Sequence, residues 1–368
     1  MAGVTLCLLS AARGEMLNKC YPDMAKERFD YIDIARGLGI LMVVWAHIAA
    51  NNATVGFIYT FHMPLFFFIS GMMFNRERYN GFYGFALKRL KRLFVPYVLY
   101  SIASWIIWVA FNYVTHRQVE SYFMPLLQTI LAQGSGQFFV YNSPLWFVPC
   151  LFAVEIMYFF LSRFSSIVIL VISILISLLS ITFEHVWGED YLYMLPWNFD
   201  AAMMALPFYA VGNIICRRWS LAEIKSFVMA HKAVMIVICF LITALIYWSL
   251  DVFGSPSMGY SYYHDERIFH IRAILGSAMT IVLSVFIEAI PGRIIDYIKW
   301  LGRVSLDVMC THVPLKGVLI VIIAIILGVS TDDVSSSLTY ALLVFTLTMI
   351  IDSVIVWLIK LGTVRVSK

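Results

Sequence analysis

Apolar residues in this chain neither alternate with polar ones nor form narrow stripes. They come in unbroken runs, separated by short polar segments. The runs define about ten segments: Leu38–Thr54, Phe57–Phe74, Leu93–Val114, Leu145–Leu161, Ser166–Phe183, Phe199–Cys216, Ala233–Leu250, Ile268–Ile290, Ser305–Gly328 and Leu338–Leu361. Each is close to the 17–25 residues that a helix needs to cross roughly 30 Å of hydrocarbon. In lipid every backbone amide needs a partner inside the protein, which leaves helices or a closed barrel. Without a period of two, the barrel is excluded. The pattern predicts an all-α, polytopic integral membrane protein of about ten transmembrane helices.

Composition agrees with the pattern. Of 368 residues 61% are hydrophobic and 13% charged, and the mean hydropathy is +0.85. A chain with so few polar side chains cannot cover itself in water, and it is equally unlike a disordered or disulfide-stapled secreted chain. The net charge of +4 says less than its distribution. Arg76, Arg78, Lys88, Arg89, Lys91 and Arg92 follow the second segment; Arg217, Arg218, Lys225 and Lys232 the sixth; Arg293, Lys299 and Arg303 the eighth; Lys360, Arg365 and Lys368 close the chain. The alternate loops are acidic, with Glu184, Glu189 and Asp190, then Asp251, Asp265 and Glu266, then Asp332 and Asp333. Basic loops stay in the cytoplasm, so ten segments predict that both termini are cytoplasmic.

Residues 1–27 read as an N-terminal extension, amphipathic or disordered, with Met24 as a natural start; residues 28–368 read as one membrane domain. The six cysteines show no metal-ligand spacing and read as small apolar residues. No metal is expected, nor any nucleic-acid partner; the oligomeric state is not legible.

Ionisable groups inside membrane segments cost roughly 2.5–3.5 kcal/mol each on insertion scales, which makes them functional candidates. Arg36 and His47 are eleven residues apart, so on a helix they project within about 20° of each other and about 16 Å apart along the axis. Asp33 lies one turn before Arg36, placed to pair with it. His62 opens the second segment near the outer interface, in Phe61-His62-Met63-Pro64, where Pro64 is tolerated in a first helical turn; Ser70-Gly71 suits close helix packing. Arg89 and Arg92, one turn apart, read either as a topology signal or as a holder of phosphates. Trp146 and Glu155 lie in the fourth segment, and Asp307 and His312 in the ninth, with Lys316 placed to pair with an acid across the bundle. Glu288 and Asp352 show no evident partner. Tyr262, Tyr263, His264, Asp265, Glu266, Arg267 and His270 form an outer stretch that suits a sugar rim or a plain loop better than a metal.

Phe29 through Ile40, then His47, then Phe61 through Gly71, then Arg89/Arg92 with Pro96-Tyr97, Leu145-Trp146-Phe147 and Gly302 through His312, in that order and spacing, resemble the acyltransferase family 3 membrane proteins. Within that family the pattern looks most like the branch named for fucose 4-O-acetylase and related sugar O-acetyltransferases. The resemblance implies an inner-membrane O-acetyltransferase that moves an acetyl group from cytoplasmic acetyl-CoA to a hydroxyl of a cell-envelope glycan or its lipid-linked precursor. On that reading Arg36, Arg89 and Arg92 hold the donor's phosphates, and His47, with Arg36 on its face, is catalytic. Asp33, His62, Trp146, Glu155 and His312 support the acceptor side. A transporter or flippase for a glycolipid or small metabolite is the alternative; the first half's Arg–His feature has no counterpart in the second half.

Overall fold

The computed structural model describes residues 29–49, 53–132, 140–187, 195–260, 263 and 265–366. The N-terminal extension expected over residues 1–27 lies outside them. The described chain is helical throughout: α1 Asp30–Ile48, α2 Ala53–Tyr59, α3 His62–Met72, α4 Gly81–Val114, α5 Met124–Leu131, α6 Phe147–Leu161, α7 Ser166–Trp187 and α8 Phe199–Arg218. There follow α9 Leu221–Ala230, α10 Lys232–Phe253, α11 Glu266–Glu288, α12 Arg293–Arg303, α13 Ser305–Leu327, α14 Thr331–Ser336 and α15 Leu338–Val366.

Among the described residues nine stretches are long and apolar enough to cross a membrane. The other expected segment is α7, 22 residues long. Lipid-facing positions such as Leu99, Ile106, Phe240, Trp248, Ile325 and Trp357 leave large apolar side chains exposed, as a membrane requires and water does not permit on this scale.

Three segments differ from the sequence reading, the third because α4 starts at Gly81 rather than Leu93 and takes Arg89 and Arg92 into the helix. The first runs over Asp30–Ile48 rather than Leu38–Thr54. A polar-averse reading starts after Asp33 and Arg36, whereas the chain folds both into the helix and gives Asp33 an ion partner, Arg303 of α12. The second segment is not continuous. It breaks at Thr60-Phe61 into α2 and α3, and Thr60 Oγ1 donates back to the Phe57 carbonyl (2.7 Å).

Close backbone approach sets the packing around the site. A Cβ at Gly71 of α3 would collide with the Tyr209 carbonyl of α8, and one at Gly212 of α8 with the Phe68 carbonyl of α3, so small residues on both helices let the backbones meet, as expected of Gly71. Asn213, beside that contact, donates to the carbonyls of Gly71 (3.0 Å) and Phe74 (2.9 Å) and accepts from Tyr158 and Arg217. Arg76 and Arg217 reach the carbonyls of Phe159, Ser162 and Phe164, where α6 ends. A cation is stabilised at the negative end of a helix dipole.

Candidate active site

Three elements bring the intramembrane imidazoles together. His47 stands in the last turn of α1, His62 opens α3 directly after the break, and His312 lies within α13. The rings of His47 and His312 stand 5.2 Å apart, centroid to centroid, tilted by 47°. Lys316, one turn after His312, donates from Nζ to the His47 carbonyl oxygen (2.6 Å). His312, Lys316 and His62 all act electrostatically on His47. α13 continues for eleven residues past Lys316, so the cluster lies at mid-depth of that span.

Both supporting imidazoles have fixed tautomers. His62 Nδ1 donates to the Ile58 carbonyl (2.8 Å) and His312 Nδ1 to the Val308 carbonyl (2.9 Å). A carbonyl can only accept, so the proton is on Nδ1 in each ring and Nε2 carries the lone pair. His312 is fully buried, and its Nε2 has no hydrogen-bond partner. A buried acceptor left open costs free energy unless something is built to fill it. His62 sits deeper than the outer interface expected of it. The preceding residue, Phe61, lies against Gly276, halfway along α11.

The segment of α13 that leads to His312 is held from three sides. Asp307 accepts from Tyr100 of α4 (2.8 Å) and pairs with Lys360 of α15 (2.7 Å). Asn142, fully buried ahead of α6, donates to the Cys310 carbonyl (2.6 Å) and to Ser104 Oγ (2.9 Å), while its Oδ1 has no partner. These contacts restrict rotation of α13 and so fix the direction in which His312 presents its lone pair. Asn142 and Lys360 were not singled out from sequence as parts of the site. Only a polar Asn next to Ser-Pro at the head of an apolar run hinted at the first, and a terminal basic residue is normally just a topology signal.

The remaining expected site residues lie elsewhere. Arg36 is half-buried on α1, and its spacing places it on the face that His47 turns toward α13. Asp33 Oδ2 accepts from Arg303 Nε (3.2 Å). Arg89 is drawn into the bundle, where its guanidinium forms an ion pair with Glu155 of α6; Arg92, one turn on, is exposed. Trp146 is buried in the turn that precedes α6, edge-on to Phe147 (6.2 Å). Glu288, for which no partner was evident, pairs with Lys225 of α9 (2.9 Å). Lys316 meets a carbonyl rather than the acid expected across the bundle. Of the outer stretch, Tyr262 and His264 lie outside the described residues, and His270 Nε2 meets Ser177 Oγ (2.9 Å).

A lone pair on a buried imidazole beside a second imidazole and an ammonium can accept a proton and stabilise negative charge in one place. No curated protein and no solved structure matches this chain. A family model does: the acyltransferase domain of acyltransferase family 3 matches residues 29–357. The chain therefore belongs to acyltransferase family 3, and it is a polytopic membrane acyltransferase.

Proposed function

We propose that the protein is an O-acetyltransferase of the inner (plasma) membrane. It takes an acetyl group from cytoplasmic acetyl-CoA and places it on a sugar hydroxyl of a cell-envelope glycan or its lipid-linked precursor. Both termini face the cytoplasm, in keeping with the alternation of basic and acidic loops. The observation that carries the reading is the meeting of His47 with His312, whose Nε2 is buried and open, at mid-depth of α13.

Coenzyme A brings phosphates to the cytoplasmic face, where Arg36 and exposed Arg92 receive them. Arg89 fixes that end of α4 to α6 through Glu155. The flexible pantetheine arm then follows the face of α1 for about 16 Å, from the level of Arg36 to that of His47. His47 takes the proton of the sugar hydroxyl as its oxygen attacks the thioester carbonyl. Collapse of the tetrahedral adduct breaks the C–S bond, and the leaving thiolate recovers the proton from the imidazolium. The products are the acetyl ester and free coenzyme A. His62, His312 and Trp146 line the acceptor side.

Labelled acetyl-CoA and a crude lipid-linked glycan extract, added to purified protein in liposomes, test this. Label should enter glycan with wild type, be lost with His47→Ala, and require more acetyl-CoA with Arg92→Ala. Label that stays on the protein when the acceptor is omitted would mark an acetyl-enzyme in place of direct transfer. Wild-type rates in His47→Ala would discard the assigned base. No transfer and no coenzyme A binding by wild type would favour a transporter, a class to which a span broken at Thr60-Phe61 is also suited.

A further inference from the structure

Among the described residues no carboxylate forms an ion pair with Lys316, whose Nζ goes to a backbone carbonyl instead. The three other bonds that hold α13 are explained by packing: Asp307 has Tyr100 and Lys360, and the Cys310 carbonyl has Asn142. Lys316 is different. It sits halfway along a membrane-spanning helix, its single described bond is to the His47 carbonyl (2.6 Å), and it acts electrostatically on both His47 and His312. A structural lysine would be matched by an acid or would snorkel to the interface. An ammonium held beside two imidazoles, with no counter-charge paired to it among the described residues, instead awaits a negative one.

We propose that Lys316 is a catalytic residue that stabilises the oxyanion formed when the thioester carbonyl is attacked. The inference rests on the acetyl-transfer reading above. Lys316 has three N–H donors, and the His47 carbonyl uses one; two remain for an oxygen brought to the His47 imidazole, on which the ammonium already acts. A carbonyl carbon close enough for attack by an oxygen that His47 deprotonates carries its own oxygen within reach of Nζ. Negative charge develops on that oxygen only in the transition state, so the ammonium favours the transition state over the bound thioester. No proton is transferred by Lys316. It holds the C–O⁻ oxygen while the C–O bond to the sugar forms, and releases it when the C=O bond re-forms and the C–S bond breaks.

Lys316→Gln separates this role from a merely structural one, because its amide can still donate to the His47 carbonyl but has no charge. Expected is a fall in kcat of about 10²–10³, as for the loss of other oxyanion donors, with the KM for acetyl-CoA nearly unchanged. Lys316→Ala should be as slow, and methylammonium or ethylammonium should restore part of its rate, which an uncharged alcohol of the same size should not. Lys316→Arg, which keeps charge and bulk, should exceed the Gln variant at least tenfold. Wild-type kcat in Lys316→Gln would overturn the proposal while leaving acetyl transfer intact. So would neutral variants that fail to fold beside a fully active Lys316→Arg, which would assign the charge to the fold. An inactive wild type would instead remove the acetyl-transfer reading, and the role of Lys316 with it.

Discussion

Arg89 and Glu155, 66 residues apart in the chain, form an ion pair inside the bundle that joins α4 to α6. The Glu155 side chain is 1% exposed, and its second carboxylate oxygen has no partner, nor has Arg89 Nε. Among the described residues no second carboxylate pairs with Arg89. A buried ion pair adds little over a well-packed apolar pair, but removal of one partner strands the other in low dielectric.

Arg89→Ala should accordingly be destabilised by about 3–5 kcal/mol, and Glu155→Gln by somewhat less because the amide still accepts. The double variant Arg89→Met/Glu155→Leu should regain most of the loss. Thermal unfolding in detergent, followed by tryptophan fluorescence, measures all three. If Arg89 served only as a phosphate ligand, its loss would leave the unfolding temperature unchanged.

The contact of α3 with α8 gives a second expectation. A methyl group at Gly71 would overlap the Tyr209 carbonyl, and backbone cannot swing aside as a side chain can. Gly71→Ala or Gly212→Ala should cost about 1–3 kcal/mol or more through forced separation of the helices. Gly317→Ala, where nothing lies within 4 Å of the added carbon, should be neutral or gain up to about 1 kcal/mol from helix propensity. The same unfolding assay ranks the three.

These contacts mark the boundary of what the sequence shows. Long apolar runs determine spanning helices because lipid forbids unpaired amides, so the helices were legible one by one. Arg36 and His47 could be put on one face because a helix has a fixed period. Which helix faces which is another matter. From sequence Arg89 reads as a topology signal or a phosphate ligand, and only the fold brings Glu155 of α6 to it; Asp33 likewise meets Arg303, 270 residues away. Asn142 reaches Cys310 across 168 residues. The break at Thr60-Phe61 was hidden because apolar residues flank it on both sides, and hydropathy averages over a kink. His312 was legible as an ionisable group in a span, but not as the neighbour of His47.

Outside the membrane, Asp265 caps α11. Its carboxylate accepts from Arg267 Nη2 (3.2 Å) and from the amides of Arg267 (3.0 Å) and Ile268 (3.1 Å). The Arg267 side chain first, then the Ile268 amide, hold it below the ordinary carboxylate range. A lowered folded-state value means that the stabilisation is present above the unfolded value of about 4 and is lost as pH falls through the folded one. Asp265→Asn keeps an acceptor oxygen for the cap but not the charge. It should unfold at a slightly lower temperature than wild type near neutrality, and the difference should close below about pH 4. A difference independent of pH would mean that the charge contributes nothing there.

The open Nε2 of His312 supplies the last expectation. With its Nδ1 proton held by the Val308 carbonyl (2.9 Å), the ring can offer only a lone pair toward the site. When His47 takes up a proton, the neighbouring lone pair can accept a hydrogen bond from it and so stabilise the imidazolium, as an orienting acceptor does for other catalytic histidines. His312→Ala removes that acceptor and should lower kcat for acetyl transfer by about 10²–10⁴, with a smaller change in the KM for acetyl-CoA. His312→Gln can still present an oxygen near the position of Nε2 and should keep a larger share of the rate. A structural role for His312 would reverse this pattern, because both variants would lose folded protein and the material that remained would turn over at the wild-type kcat. Single-turnover transfer, normalised to monodisperse protein, distinguishes the two.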